Sequence, residues 1–211
     1  MNLLHICASA KPIEASTSKQ LAAAFFVRLA ESNKDINVTN LDLYNNPPPF
    51  LTYEAYRFFW NPIFEPGYLP TNAEKKAANY ALEQNKHLAD TDVLVLTMPL
   101  WNCGAPAILK AWMDQVMVPG ELFKYEAGSI IPLHHLQKVI LLVSSGDILK
   151  ENDPMDTLTP QITAMMNAVG VKDISIAWAD GQDPNHLDSE LRKSTAIEAA
   201  QELADDVAEL A

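Results

Sequence analysis

Two rhythms of apolar and polar positions alternate along the chain. Five short runs dense in Val, Ile, Leu and Met, at residues 3–7, 36–43, 93–98, 139–144 and 174–179, read as β-strands. The runs at 93–98 and 139–144 are almost continuously apolar, the pattern of strands buried on both faces. Between them the spacing becomes helical. Residues 18–31 repeat Leu21, Phe25, Phe26 and Leu29 along one face, and residues 72–89 open on Asn72 as N-cap and run through Ala-rich turns. Residues 106–118 start with a proline in the first turn, and residues 156–169 stop before Gly170, a C-terminal cap. Residues 187–210 close the chain with Leu187, Leu191, Leu203, Val207 and Leu210 as the apolar face. Such strict β–α alternation predicts right-handed crossovers and a parallel sheet covered by helices on both faces. No linker or repeat interrupts it, so residues 1–211 read as one α/β domain.

One segment breaks the rhythm. Residues 44–71, YNNPPPFLTYEAYRFFWNPIFEPGYLPT, crowd prolines and aromatics into a long insertion. Insertions of this length in compact domains are usually functional covers. The reading divides between a surface excursion with local packing and a lid or subunit contact, the second because exposed aromatics mark interaction surfaces.

Composition narrows the function. A formal net charge of −12 gives no broad attraction to nucleic acid or anionic lipid. The first residues, MNLLHICASAK, lack a basic n-region and a long apolar core, and no apolar stretch reaches membrane-spanning length. Only two cysteines occur, Cys7 and Cys103, which indicates no disulfide framework and points to a reducing cytoplasm. The five histidines show no metal-ligand spacing, and the adjacent pair His134 and His135 suits a single ion poorly.

In open parallel sheets, ligands bind outside the C-terminal strand ends. Three loops fall there. The first, ASAKPIEASTS at 8–18, has no glycine; the first glycine of the chain is Gly67, so dinucleotide and Walker fingerprints are both missing. Ser9, Ser16, Thr17 and Ser18 instead place hydroxyls at a helix start, which serves equally as a phosphate cradle or as simple N-capping. The second loop, PLWNCGAP at 99–106, has Pro99 stiffening the strand exit, and the N–H groups of Trp101, Asn102 and Cys103 are placed to face a planar ligand. Trp101 reads as a ligand wall or as core. Cys103 has no histidine near it in sequence and reads as a small hydrophobe rather than a nucleophile. The third loop, Ser144, Ser145, Gly146 and Asp147, offers backbone donors for a ring carbonyl or is an ordinary turn. A phosphate at the first loop and a flat ring between the other two would suit flavin mononucleotide (FMN).

The blocks HICAS…STSKQL, TMPLWNCGAPAILKAWMDQVMVPGELFKYEAGS and LLVSSGD resemble the FMN-dependent NADH-azoreductase family, the flavodoxin-like NAD(P)H:quinone reductases, essentially end to end. The resemblance implies a doubly wound sheet of five parallel strands in the order 2-1-3-4-5. It implies bound FMN, NADH or NADPH as co-substrate, and two-electron reduction of quinones and azo compounds by a ping-pong scheme in which no side chain acts as nucleophile. It places Pro99, Leu100, Trp101, Asn102 and Cys103 on the family's flavin-contacting P-M-Y-N-F motif, Ser9, Ser16, Thr17 and Ser18 at the phosphate, and Ser144–Asp147 on its S-R-G-G loop. It also implies a homodimer, with Phe58, Phe59, Trp60, Phe123 and Tyr125 as candidate substrate-pocket walls. The chain departs from the family where Cys103 replaces an aromatic, Ser145 an arginine and Asp147 a glycine. Aspartate tolerates positive φ better than most residues, but a carboxylate on that loop would disfavour an anionic reduced flavin. Two other classes compete: a single-electron carrier of flavodoxin type, which the acidic surface suits, and a serine hydrolase on Ser144 or Ser145, which lacks the G-x-S-x-G elbow.

Overall fold

The computed structural model describes residues 1–33, 35–150 and 152–210. Five parallel strands form the central sheet: β1 (Asn2–Cys7), β2 (Asn37–Asp42), β3 (Val93–Pro99), β6 (Lys138–Ser144) and β7 (Asp173–Ala179), in the order β2-β1-β3-β6-β7. This is the expected 2-1-3-4-5 order, with a small antiparallel hairpin, β4 (Phe123–Glu126) and β5 (Ser129–Pro132), set between its third and fourth strands. The hairpin turns at Ala127 and Gly128, both at positive φ (49° and 81°), as a two-residue hairpin turn requires.

Side chains of β3 and β6 alternate between two cores. Leu94, Leu96, Met98, Val139, Leu141 and Val143 pack with Leu109, Trp112, Met113 and Val116 of α4 (Ala107–Val116) and with Leu158, Ile162 and Met166 of α5 (Leu158–Ala168). Val93, Val95, Ile140 and Leu142 pack on the other face with Leu21, Phe25 and Leu29 of α1 (Thr17–Ser32) and with α6 (Ser189–Glu209). The buried face of α6 is Ala196, Ala200, Ala204 and Val207 rather than the expected leucines. Leu187 precedes the helix and is wholly exposed, and Leu191 is also exposed. The small alanines let α6 lie close against α1, a packing that larger side chains would prevent.

At two helix starts the capping residue differs from the sequence expectation. Thr71, not Asn72, caps α3 (Asn72–Ala89): its hydroxyl accepts from the Glu74 N–H while Glu74 returns a bond to the Thr71 N–H, a reciprocal capping box. Pro106 caps α4 from just outside the helix. The insertion at 44–71 contains a helix, α2 (Tyr53–Phe64), capped by Thr52 and tolerating Pro62 near its end. Buried Phe59 anchors it on Ala78 and Ala81 of α3 and on Val118. Among the described residues, no helix is long and apolar enough to cross a membrane.

Candidate functional site

Strand order reverses between β1 and β3, and there the C-terminal strand ends open into a cleft of about 370 Å³. Four loops meet in it: Ser9, Lys11, Ala15, Ser16 and Thr17 after β1, Pro99, Leu100 and Trp101 after β3, Ser144, Ser145 and Gly146 after β6, and Gln182, Asp183 and Pro184 after β7.

The first loop is organised by hydroxyls. Ser16 caps α1, its Oγ accepting from the Lys19 N–H at 3.3 Å. The Ser9 hydroxyl lies 2.8 Å from Ser16 Oγ, and Ser18 Oγ lies 3.4 Å from it. All three serines are buried, and Ser18 is fully enclosed within α1 rather than facing the cleft. The Thr17 hydroxyl donates across the cleft to Gln182 Oε1 at 3.3 Å, which ties the first loop to the fourth. Thr17 and Ser18 hold the first two helical positions, where backbone N–H groups have no intrahelical acceptor and favour an anion. Lys11 brings a cation to the same rim.

The second loop is organised by its backbone. Trp101 and Gly104 exchange hydrogen bonds, N–H to C=O, at 3.0 Å in both directions, closing a tight turn. Its central residues Asn102 and Cys103 both stand at positive φ, 49° and 67°. The Trp101 N–H is therefore engaged within the turn and does not face a ligand, contrary to the sequence expectation. The Cys103 carbonyl accepts from the N–H and hydroxyl of Thr157, and its thiol lies 3.8 Å from the Met155 sulfur. Asn102 lines a neighbouring cleft of about 680 Å³ with Tyr44, Ile108, Lys110 and Gln161, and Trp101 forms the partition between the two.

The third loop is laced to the fourth. Carbonyls of Ser145, Gly146 and Asp147 accept from the N–H groups of Gln182, Asp183 and Gly181 at 2.9, 3.0 and 3.0 Å. Gly181 stands at φ 61°, and a Cβ there would lie 2.8 Å from Ile148 and 2.9 Å from Arg192. Among the described residues, the non-glycine positive φ angles fall at Asn102, Cys103, Ala127 and Asn152, so Asp147 keeps an ordinary backbone and its loop needs no glycine there. Asp147 does not line the cleft. The Asp183 carboxylate is held below its usual range by bonds from the backbone and side-chain N–H of Asn185, and so stays anionic at the rim.

Behind the first two loops, His5 of β1 lies between Asn40 of β2, at 2.8 Å, and Thr97 of β3, at 2.9 Å. Asn40 Oδ1 only accepts, so His5 Nδ1 carries the proton and Nε2 accepts from the Thr97 hydroxyl. Burial holds the imidazole neutral, pulling its pKa down to about 4 against the opposing pull of Asn40 and Asp42.

The structure thus gathers Ser9, Ser16, Thr17, Pro99, Leu100, Trp101, Ser144, Ser145 and Gly146 around one cleft. The aromatic candidates lie away from it. Phe59 and Phe123 are buried in the core, Phe58 and Trp60 pack half-buried beside α3, and Tyr125 is exposed on the hairpin, edge-on to Phe123. Lys11, Gln182, Asp183 and Pro184 line the cleft without having been singled out in the sequence. The turn-forming string DGQDP directly after the fifth strand was the available signal for the last three.

A doubly wound parallel sheet with a polar, four-loop cleft at its switch point defines a flavodoxin-type α/β protein. The model of the family described as flavodoxin-like fold matches residues 1–204, and the chain belongs to that family. An "FMN-dependent NADH:quinone oxidoreductase 2" from Hahella chejuensis is 32% identical over 211 residues, covering 96% of this chain and 99% of that protein. Among solved structures, azoreductase AzrA superposes with a TM-score of 0.88 at 23% identity, over 98% of this chain and 100% of that one. An FMN-dependent NADH-azoreductase from Bacillus anthracis, solved in complex with FMN, superposes with a TM-score of 0.85 at 23% identity, over 98% of this chain and 99% of that one.

Proposed function

We propose that this chain is an FMN-dependent oxidoreductase that passes two electrons from NADH or NADPH to quinones and azo compounds. One observation carries the reading: the cleft joins an anion-favouring helix N-terminus with hydroxyls and a lysine to the space between the β3 and β6 loops, lined by Pro99, Leu100, Trp101 and Gly146. That combination fits a phosphorylated planar ring. The name of the Hahella relative supports the same activity.

The hydroxyls of Ser9 and Ser16 and the first-turn N–H group of Thr17 hold the phosphate, and Lys11 supplies the opposing charge. Pro99, Leu100, Ser144 and Gly146 border the ring slot, with Trp101 as its outer wall. FMN, when bound, supplies the hydride and electron chemistry. The residues bind and orient, and the laced third and fourth loops keep the slot pre-formed at no reorganisation cost. With no dedicated acid among the side chains of the cleft floor, water delivers the protons. The nicotinamide and the acceptor use one open side in turn, which gives ping-pong kinetics.

We also place the protein in the cytoplasm, consistent with its free cysteines Cys7 and Cys103. We assign it a homodimer. Phe50, Tyr53, Tyr56 and Phe64 are exposed on and beside α2, and Tyr125, Ile130 and Ile131 on the hairpin, and exposed aromatic and aliphatic groups of this kind suit a subunit contact.

The acidic charge of −12 also suits a single-electron carrier, and one experiment separates the two. The purified protein is loaded with FMN, its visible spectrum is recorded without oxygen, and NADH and then benzoquinone are added. Rapid bleaching by NADH followed by recolouring with benzoquinone is expected. Bound flavin that NADH does not bleach supports the carrier, and a protein that binds no FMN overturns the flavin reading altogether.

A further inference from the structure

Ser145 has no polar group left for a ligand. Its N–H donates to the Ala179 carbonyl at 3.0 Å, and its carbonyl accepts from Gln182 at 2.9 Å. Its hydroxyl donates to the Asp147 carbonyl at 3.0 Å and accepts from the Trp178 indole N–H at 3.0 Å. The residue is 4% exposed although it lies on the cleft wall. Four internal bonds therefore fix the path of the backbone through Gly146. Three of them come from the main chain or from within the loop, and the fourth comes from Trp178, a side chain of β7 outside the cleft. The other side of the indole lines an open groove of about 880 Å³ together with Leu149, Thr159, Thr163 and Asp180. An apolar ring there needs only surface; the N–H is what reaches the loop.

We propose that Trp178 is a positioning residue for the cofactor cleft: its indole N–H, acting through the Ser145 hydroxyl, sets the Ser144–Gly146 wall against which the flavin ring lies. The inference rests on the flavin reading above. It also explains how the chain manages without a long cationic side chain at position 145, because the small hydroxyl is an inward relay rather than a ligand contact.

Trp178→Phe keeps the ring in the groove and removes the N–H. Ser145→Ala removes the relay and carries the test if the first variant fails to fold. Affinities for FMN and for riboflavin, which lacks the phosphate, are measured by quenching of flavin fluorescence, alongside thermal unfolding without ligand. Each variant is expected to bind both flavins about 10-fold more weakly, the cost of one misplaced buried hydrogen-bonding wall. The double variant should be no worse than Ser145→Ala alone, since that variant already removes the bond to Trp178 together with the one to the Asp147 carbonyl. A loss seen only with FMN, or additive losses, would place the effect elsewhere and overturn the proposal. So would unchanged affinities with a lowered unfolding temperature, which is the signature of a purely structural tryptophan. If the unaltered protein binds neither flavin, the functional reading fails first; if it binds both and the variants match it, only the role of Trp178 fails.

Discussion

The loop after β1 and the turn after β3 face one cleft from neighbouring strands, yet they are built in opposite ways. The first uses side chains: Ser9, Ser16 and Ser18 cluster their hydroxyls while the backbone stays in ordinary conformations. The second uses the backbone: Trp101 and Gly104 bond to each other, and Asn102 and Cys103 take up positive φ. Asparagine is at home there, but cysteine sits where a two-residue hairpin turn prefers glycine. A hydroxyl loop can lose one member and keep its shape. A strained turn keeps its shape only while its surroundings impose it, here through the two bonds from Thr157 to the Cys103 carbonyl.

This contrast can be broken at its strongest point by removing both Ser9 and Ser16 hydroxyls with alanine. FMN binding should weaken at least about 100-fold, because hydrogen bonds to a charged group are worth about 1.5–3 kcal/mol each. Riboflavin binding should hold, which isothermal titration with both flavins will check.

Acid tests what the two loops share. His5 bonds to Thr97 across β1 and β3, the strands from which both loops spring. Its folded pKa of about 4 lies below the ordinary 6.5, so the unfolded chain takes up the proton first as pH falls. The stabilisation is complete above pH 6.5 and is lost between there and pH 4, amounting to about 3 kcal/mol at most. Urea unfolding across that window should show the slope, and His5→Gln should flatten it.

The strain at Cys103 can be sharpened in both directions. Cys103→Val puts a β-branched residue at φ 67° and should cost about 2 kcal/mol of stability. Cys103→Gly should gain about 1 kcal/mol by removing the Cβ penalty. Equal and unchanged urea midpoints for the two variants would mean that the turn stores no strain.

The same contrast explains what the sequence makes legible. The parallel sheet and both helix layers could be read because β3 and β6 are apolar on both faces and the helical repeats are regular, whereas the strand order rested on the family resemblance alone. The hydroxyl loop could be read because its chemistry lies in residue types. Positive φ at Asn102 and Cys103 leaves no mark in composition, so the residue types alone do not show that the Trp101 N–H turns inward to Gly104. α2 was hidden by the prolines around it, since only the Thr52 cap and buried Ala55 and Phe59 mark it as a helix. The contribution of residues 182–184 depends on β7 returning beside β6, a fact of topology that no local pattern holds.

The bond from Thr17 to Gln182 spans 165 residues, and the Gln182 amide also donates to the Ser189 carbonyl at the start of α6. The last wall of the cleft is therefore made by residues that follow all five strands of the sheet. A nascent chain that has finished β6 already carries the serine loop but has nothing to lace it to. Occupancy of the cleft must follow docking of the segment after β7, so loss of the Gln182 bonds would cost the ligand before it cost the sheet.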